Sequence, residues 1–516
     1  MQRFFNTAGP CDPEDHFMLP AASRLPEVAR LIAQKGYFVI HAPRQTGKTT
    51  AMLELARNLR DEGRYSAILV SLEVGAPFSN DLGAAELAIL DAWRHSAEAY
   101  MPAGLQPPLW PASEPGRRIG AALGAWAKAS RRPLVLFLDE IDALQDMTLI
   151  SVLRQLRDGF PKRPNLFPWS LALIGLRDVR DYKVASGGSD RLNTASPFNI
   201  KVRSLTLSNF SAEDVSALYR QHTEETGQGF SSEAMKLAFD LTQGQPWLVN
   251  ALAKIVVEEL VPDVSRTITA DHIEQAREVI IVRQEAHLDS LSERLREPRV
   301  RHIIEPMLAG RSLGEVPPDD RQYVIDLGLV RRDPRGGLVI ANPIYREVIP
   351  RVLAGGPQDS LPIIQPMWLN PDGSLDVNRL LEAFLAFWKQ HGQPLLGSAP
   401  YHEIAPHLVL MAFLHRVVND GGTLEREYAI GSGRMDLCMR YKDVTLAIEL
   451  KVRRDGESDP LKEGLAQIDG YLNGLGLASG WLVIFDRRKS QPPISQRTWT
   501  ETALTPSGKE VMVIRA

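Results

Sequence analysis

Few folds are open to a chain that sets Phe38-Val-Ile-His-Ala-Pro-Arg-Gln-Thr-Gly-Lys-Thr-Thr50 between a short apolar strand and a helix. The spacing Ala42-x-x-x-x-Gly47-Lys48-Thr49 predicts a loop whose backbone N–H groups curl around phosphate oxygens at a helix N-terminus. Ala42, Pro43, Arg44, Gln45, Thr46, Gly47, Lys48, Thr49 and Thr50 are therefore the expected nucleotide-binding residues. Lys48 would reach the β- and γ-phosphates of ATP, and the Thr49 hydroxyl would hold Mg²⁺. Ala42 stands where this pattern usually carries its first glycine, a small departure because alanine is the next smallest residue.

Apolar strands alternate with helical patterns through the first 180 residues. Strands are expected at Tyr37–Ile40, Ile68–Leu72, Leu134–Leu138 and Ser170–Leu176, with helices near 23–35, 47–61, 81–130 (interrupted at Pro102–Pro115) and 147–160. That alternation indicates an α/β architecture, a parallel sheet wrapped by helices. The strand Leu134-Val-Leu-Phe-Leu-Asp139-Glu140-Ile-Asp142 ends in acids. Asp139 is the expected Mg²⁺ residue and Glu140 the catalytic residue that polarises the attacking water. A helix cap is the plainer reading of strand-end acids, and it suits Asp142. Arg177, after the next strand, would either stabilise charge near the γ-phosphate or simply pair with Asp178.

Beyond residue 210 the pattern turns helical. Ser211 is a good N-cap for a helix to about Arg220, and two helices over 232–260 break at Gly244-Gln245-Pro246. Residues 298–353 read as a winged helix: helices at Val300–Leu308 and Asp319–Leu327, a hairpin turning at Gly336-Gly337, and a helix after Pro343. Its middle helix carries Asp319, Asp320 and Asp326 against Arg321, a poor face for the major groove. Residues 355–375, rich in Gly, Pro, Asn and Asp, read as a linker. The expected domains are 1–210, 211–295 as a helical lid, 296–354, the linker 355–375, and a second α/β unit over 376–516.

The segments HAPRQTGKTT, LVLFLDEID, LIGLRDVRDY and LTQGQPWLVNALA, followed by a winged helix, resemble AAA+-related ATPases of the STAND and archaeal-type branch over residues 1–350. The resemblance implies a P-loop NTPase sheet with a lid, and a nucleotide-controlled switch acting as a homo-oligomer or answering a protein trigger. It also puts Gly244-Gln245-Pro246 near the bound base. Arg191 and Arg203 are candidates for a trans arginine finger without a motif to choose between them.

Near the C-terminus, Gly431–Met439 and Val444–Val452 read as paired strands turning at Lys442-Asp443. Positions 444, 446, 448, 450 and 452 are all Val, Leu or Ile, so period two sends them to the core. Glu449 and Lys451 then project together from the other face, with Asp436 on the neighbouring strand. Two carboxylates beside an ammonium suit Mg²⁺, ligated by Asp436 and Glu449, with Lys451 orienting a water. Gln467 and Tyr471, at i and i+4, share a helix face. This Asp…Glu-x-Lys…Gln-x-x-x-Tyr order resembles the PD-(D/E)XK nuclease superfamily in its RecB-like form over about 402–488. By that resemblance Glu403, with Glu425 and Glu427 as alternatives, supplies a further acid, and Gln467 and Tyr471 join Asp436, Glu449 and Lys451 as catalytic residues.

Composition narrows the partners. Lys+Arg 59 against Asp+Glu 63 gives a net charge of -4, so nucleic acid, DNA first, would be met by local patches at the C-terminal domain. Cys11 and Cys438 make no disulfide framework or zinc ribbon and fit a cytoplasmic setting. Met1–Asp15 has no apolar core of a secretory signal, and no apolar run is long enough for a membrane. Two functions follow: an ATP-controlled switch for a Mg²⁺-dependent nuclease in defence or DNA maintenance, or a signalling ATPase whose C-terminal domain is a scaffold that binds without cleaving.

Overall fold

A computed structural model describes residues 3–78, 80–177, 200–283, 293–308, 313–334, 336–359, 366–398, 404–418, 422–430, 433–488 and 491–516. The chain divides into two compact units. One joins Met1–Arg283 with Pro318–Pro343, and the other joins Gln284–Pro317 with Ile344–Ala516.

The first unit is built on five parallel strands, β1 (Tyr37–His41), β2 (Ser66–Ser71), β3 (Leu134–Asp139), β4 (Ser170–Gly175) and β5 (Arg203–Thr206). Their spatial order is β2-β3-β4-β1-β5. Alternate residues of each strand serve opposite faces, and both faces are apolar because helices cover both. Tyr37 and Val39 join Trp93, Trp126 and Leu153 in one core. Phe38 and Ile40 join Met52, Ala56 and Leu59 of the helix Lys48–Asp61 in the other. The order puts β4 between the strand that launches the phosphate loop and the strand that ends in Asp139.

The helices after β5 follow from local signals. Ser211 and Asp214 form a reciprocal capping box at the start of Ala212–Thr226, which runs one and a half turns past its expected end. The Gln245 side chain accepts the Leu248 N–H, and Pro246 opens the helix Pro246–Ile255. An N-terminal strip docks on this bundle. Phe5 and Phe17 are fully buried there, against Tyr219 and His222.

The hairpin β6 (Val330–Arg332) and β7 (Leu338–Ile340) and the helices Pro298–Leu308, Pro318–Asp326 and Pro343–Asp359 appear in the order expected of a winged helix. The division into units separates them: Pro318–Asp326 and the hairpin belong with the sheet of the first unit. The described part of the expected linker is no free tether. The last helix continues to Asp359, and Trp368 packs on Phe413 of the helix Ala405–Val418.

The second unit carries a six-stranded mixed sheet, β12-β13-β11-β10-β9-β8. Strands β8 (Gly422–Ile430), β9 (Gly433–Tyr441) and β10 (Val444–Arg453) form an antiparallel meander. The helix Leu461–Leu475 crosses to β11 (Ser479–Asp486), parallel to β10, and β12 (Trp499–Leu504) and β13 (Glu510–Arg515) finish the sheet. Among the described residues no helix is long and apolar enough to cross a membrane.

Among the described glycines, Gly244 is the most tightly approached. Its φ is +69°, and a Cβ there would lie 1.8 Å from the Phe210 carbonyl oxygen. Gly227 has a similar φ of +80° but open space around it. Gly227→Ala should therefore cost about 1–2 kcal/mol, the left-handed penalty alone. Gly244→Ala should cost about 3 kcal/mol or more, because the two backbones must also move apart. Urea unfolding of both variants measures the difference.

Candidate functional site

The phosphate loop is shaped by two left-handed residues, Gln45 at φ 58° and Gly47 at φ 80°. Thr46 is buried, and its hydroxyl donates to the Pro43 carbonyl at 2.9 Å. Arg24 donates from Nη2 to the Thr46 carbonyl at 2.8 Å and from Nε to Ser208 at 3.1 Å, bracing the loop from outside. Burial pushes the Arg24 guanidinium down to about 10. Lys48 Nζ donates to the carbonyls of Ala42 and Pro43 at 2.8 Å each, so the ammonium lies folded over its own loop.

Across the sheet, the Thr49 hydroxyl donates to Asp139 Oδ2 at 2.9 Å. The other Asp139 oxygen accepts the Glu140 N–H at 3.0 Å. Burial raises the Asp139 carboxyl, and the Thr49 hydrogen bond opposes the rise. Glu140 has φ 55° and ψ 43°, a left-handed backbone that a non-glycine residue adopts at a cost. Its carboxyl is raised by burial and then by Asp142 and Asp139. Burial lowers the Lys48 ammonium, and Glu140, Asp142 and Asp139 oppose that. Asp142 accepts the Leu176 N–H at 3.3 Å and so joins this acid turn to the end of β4. A hydroxyl and a carboxylate already in contact are a suitable oxygen pair for a magnesium ion.

A cavity of about 470 Å³ opens on these groups. The phosphate loop, Glu73 and Glu140 bound it together with Gly9, Pro10 and Cys11 of the N-terminal loop and Pro246, Trp247 and Asn250. Two hydrogen bonds assemble this wall. The Cys11 N–H donates to Thr50 Oγ1 at 3.0 Å, and Trp247 Nε1 donates to the Thr7 carbonyl at 2.9 Å. The N-terminal loop was not expected from the sequence, since nothing at the level of spacing links residues 7–11 to the loop at 42–50; the resemblance puts Gly244-Gln245-Pro246 near the base but gives Asn250, in the same segment, no role.

Arg177 departs from expectation. It sits at the end of β4, between the loop strand and the acid strand, yet Nε donates to Asp326 Oδ2 at 3.0 Å. Both side chains are buried, and the guanidinium lies 5.0 Å from the Tyr323 ring centroid. Gln322 donates to the second Asp326 oxygen at 2.8 Å. Nearby, Gly328 lies so close to Pro43 of the phosphate loop that a Cβ would come within 2.8 Å. The acidic helix 318–326 therefore attaches to the end of the sheet that carries the loop 42–50. Arg203 pairs with Glu27 at 2.7 Å, while Arg191 and Asp178 lie outside the described residues.

In the second unit, Asp436, Glu449 and Lys451 come together. Lys451 Nζ lies 2.9 Å from Glu449 Oε1, and Asp436 Oδ2 accepts the Leu450 N–H at 2.8 Å. The β9–β10 pairing stops at Leu437–Ile448, so Asp436 takes over a backbone donor where the ladder ends. The face carrying Glu449 is not open, as period two had suggested. Ala447 and Glu449 are buried, and Ile468 and Leu472 of the helix Leu461–Leu475 join Ala447 in one core. Burial and Asp436 push the Glu449 carboxyl well above the usual range, with Lys451 opposing. Its Oε2 is buried without a hydrogen-bond partner among the described residues, an orphaned oxygen that a cation would satisfy.

The helix presents its residues differently from expectation. Tyr471 packs against the core beside Leu472, but Gln467 is exposed, because Gly464, Ile468 and Leu472 form the face laid on the sheet. Glu463, absent from the expected set, lies 3.6 Å from Lys451. Glu403 and the side chain of Glu427 lie outside the described residues; among those described, no group of three or more His, Cys, Asp or Glu side chains could hold a metal.

No protein-family model and no curated protein matches this chain. Solved structures do. A Walker-type ATPase of Pyrococcus abyssi is 14% identical, with a TM-score of 0.47, over 67% of this chain and 99% of that one. The Thermotoga maritima RuvB Holliday junction branch migration motor is 14% identical, with a TM-score of 0.34, over 64% and 93%. The FIGL-1 AAA domain is 16% identical, with a TM-score of 0.31, over 51% and 80%. The first unit's own topology, a parallel sheet with a phosphate loop after β1 and an acid-ended β3, is that of a P-loop NTPase.

The Arg177–Asp326 pair has a measurable weight. Asp326→Ala leaves a buried guanidinium without its carboxylate and should destabilise the chain by about 3–5 kcal/mol. The double variant Arg177→Met/Asp326→Leu should recover most of that loss. Equilibrium urea unfolding of the three chains checks both.

Proposed function

We propose that this chain is an ATPase whose phosphate loop binds ATP with Mg²⁺ and whose Glu140 drives hydrolysis. The observation that carries the reading is that Lys48, Thr49 and Glu140 line one cavity, with the buried Asp139 carboxylate held between the Thr49 hydroxyl and the Glu140 N–H. Lys48 leaves its loop carbonyls for the phosphates, exchanging neutral acceptors for charged ones. The backbone N–H groups between Gln45 and Thr49 receive the phosphate oxygens. A magnesium ion held through Thr49 and Asp139 would supply charge neutralisation at the phosphates. Glu140, raised by burial and then by its acidic neighbours, is suited to take a proton from the attacking water. The likeness stated for HAPRQTGKTT and LTQGQPWLVNALA supports an AAA+-related switch of the STAND branch, working in the cytoplasm.

A second reading rests on the second unit. The cluster Asp436–Glu449–Lys451, with its orphaned Glu449 oxygen, favours a metal-dependent nuclease of the PD-(D/E)XK kind acting on nucleic acid under ATP control. The buried helix-covered setting of Glu449 favours the competing scaffold, which binds without cutting. Cleavage decides between them.

Lys48→Ala should weaken ATP binding at least about 100-fold, and Glu140→Gln should keep affinity while slowing hydrolysis by about 10²–10³. Titration with a fluorescent ATP analogue and phosphate release measure these; unchanged affinity in Lys48→Ala removes the site.

For the second unit, full-length chain with Mg²⁺ or Mn²⁺ and ATP should nick plasmid DNA or cut RNA, and Lys451→Ala should abolish this while remaining folded. Asp436→Ala should also lose cleavage, with an added stability loss of about 1–3 kcal/mol from the stranded Leu450 N–H. A wild-type chain that cuts neither substrate leaves the scaffold.

A further inference from the structure

We propose that Asn250 reads the base of the bound nucleotide and selects adenine over guanine. This rests on the reading that the Lys48 loop binds a nucleoside triphosphate. Asn250 lies one helical turn after Pro246, and both line the cavity that Lys48 and Gly47 also line. A ligand with its phosphates on the loop thus has its other end to place against the helix Pro246–Ile255. Pro246 and Trp247 offer that end apolar surface, and the indole is fixed by its bond to Thr7.

The Asn250 amide has one orientation open to it. Nδ2 donates to the Pro246 carbonyl at 2.9 Å, and the reversed amide would set oxygen against oxygen. Oδ1 is therefore the atom left over. It is buried, in a residue only 7% exposed, and has no hydrogen-bond partner among the described residues. An unsatisfied buried acceptor is costly, so a ligand N–H that reaches it is strongly rewarded. Adenine carries an amino group at position 6 and can donate. Guanine and hypoxanthine carry an oxygen there, which an amide oxygen repels. Oδ1 thus accepts from a 6-amino group and opposes a 6-oxo group, so it discriminates by sign as well as by strength at that position.

Calorimetric titration of the full-length chain with ATP, ITP and GTP tests this. ITP carries an oxygen in place of the 6-amino group, and with it a proton on N1. Wild type should bind ATP at least about 10-fold more tightly than ITP or GTP, the worth of one buried hydrogen bond. Asn250→Ala should bring ATP down to the ITP level and leave ITP within about twofold. Asn250→Leu, which fills the same space without an acceptor, should do the same and guards against collapse of the cavity. Equal binding of ATP and ITP by wild type overturns the base assignment alone, as does discrimination that survives in both variants. Binding of none of the three nucleotides overturns the phosphate-loop reading as well.

Discussion

The hydrogen bond from Thr49 to Asp139 is the contact on which the first unit's chemistry depends. It crosses the sheet from the helix after β1 to the end of β3, over the intervening β4. Three consequences follow from its position. Burial pushes the Asp139 carboxyl up, and this hydrogen bond opposes that push, since the hydroxyl favours the ionised form. It sets the two oxygens side by side before any ion arrives. It also orients the acid turn, because the second Asp139 oxygen holds the Glu140 N–H and so supports the left-handed backbone there. Local strain at Glu140 is thus held by Asp139, which Thr49 holds in turn.

The wall opposite the phosphate loop is assembled from pieces far apart in sequence. Gly244 allows the Phe210 carbonyl to pass where a side chain would stand, and Gln245 and Pro246 start a helix at that point. Trp247 and Asn250 then face the cavity, and the N-terminal loop closes onto Trp247 and Thr50. On the sheet's other connections, Asp326 holds Arg177, and Gly328 lets the turn after that helix approach Pro43. The same sheet end therefore carries both the phosphate-loop cavity and an attachment for residues 318–343. A ligand that changes the loop has two packed neighbours through which to act, provided it contacts the alternatives differently.

The second unit keeps its acidic cluster at a cost. Glu449 is buried beneath a helix, its carboxyl shifted upward, with one oxygen shared with Lys451 and the other unsatisfied. Asp436 is partly a structural residue, completing the strand's hydrogen bonding where the ladder ends. A stretch optimised for stability alone would replace Glu449 with an apolar residue. A buried carboxylate with an unsatisfied oxygen is the physical argument for a working role in either reading.

Local rules determined much of this chain. The run of apolar residues in β1, β3 and β4, the spacing from Ala42 to Thr49, the capping box at Ser211 and the Gly-Gln-Pro break each depend on neighbours within a few residues, and all are legible by reading along. Period two also placed Glu449 and Lys451 on one side of their strand. The partners across space were decided by tertiary structure. Arg177 could pair with any acid brought near it, and the topology supplied Asp326, 149 residues away. Gln467 turned outward because Gly464, Ile468 and Leu472 made the better face for the sheet. In the far wall of the cavity, Thr7 to Cys11 have no motif, because they are joined to the Gly-Gln-Pro segment and to Thr50 only by hydrogen bonds that form once the fold has closed.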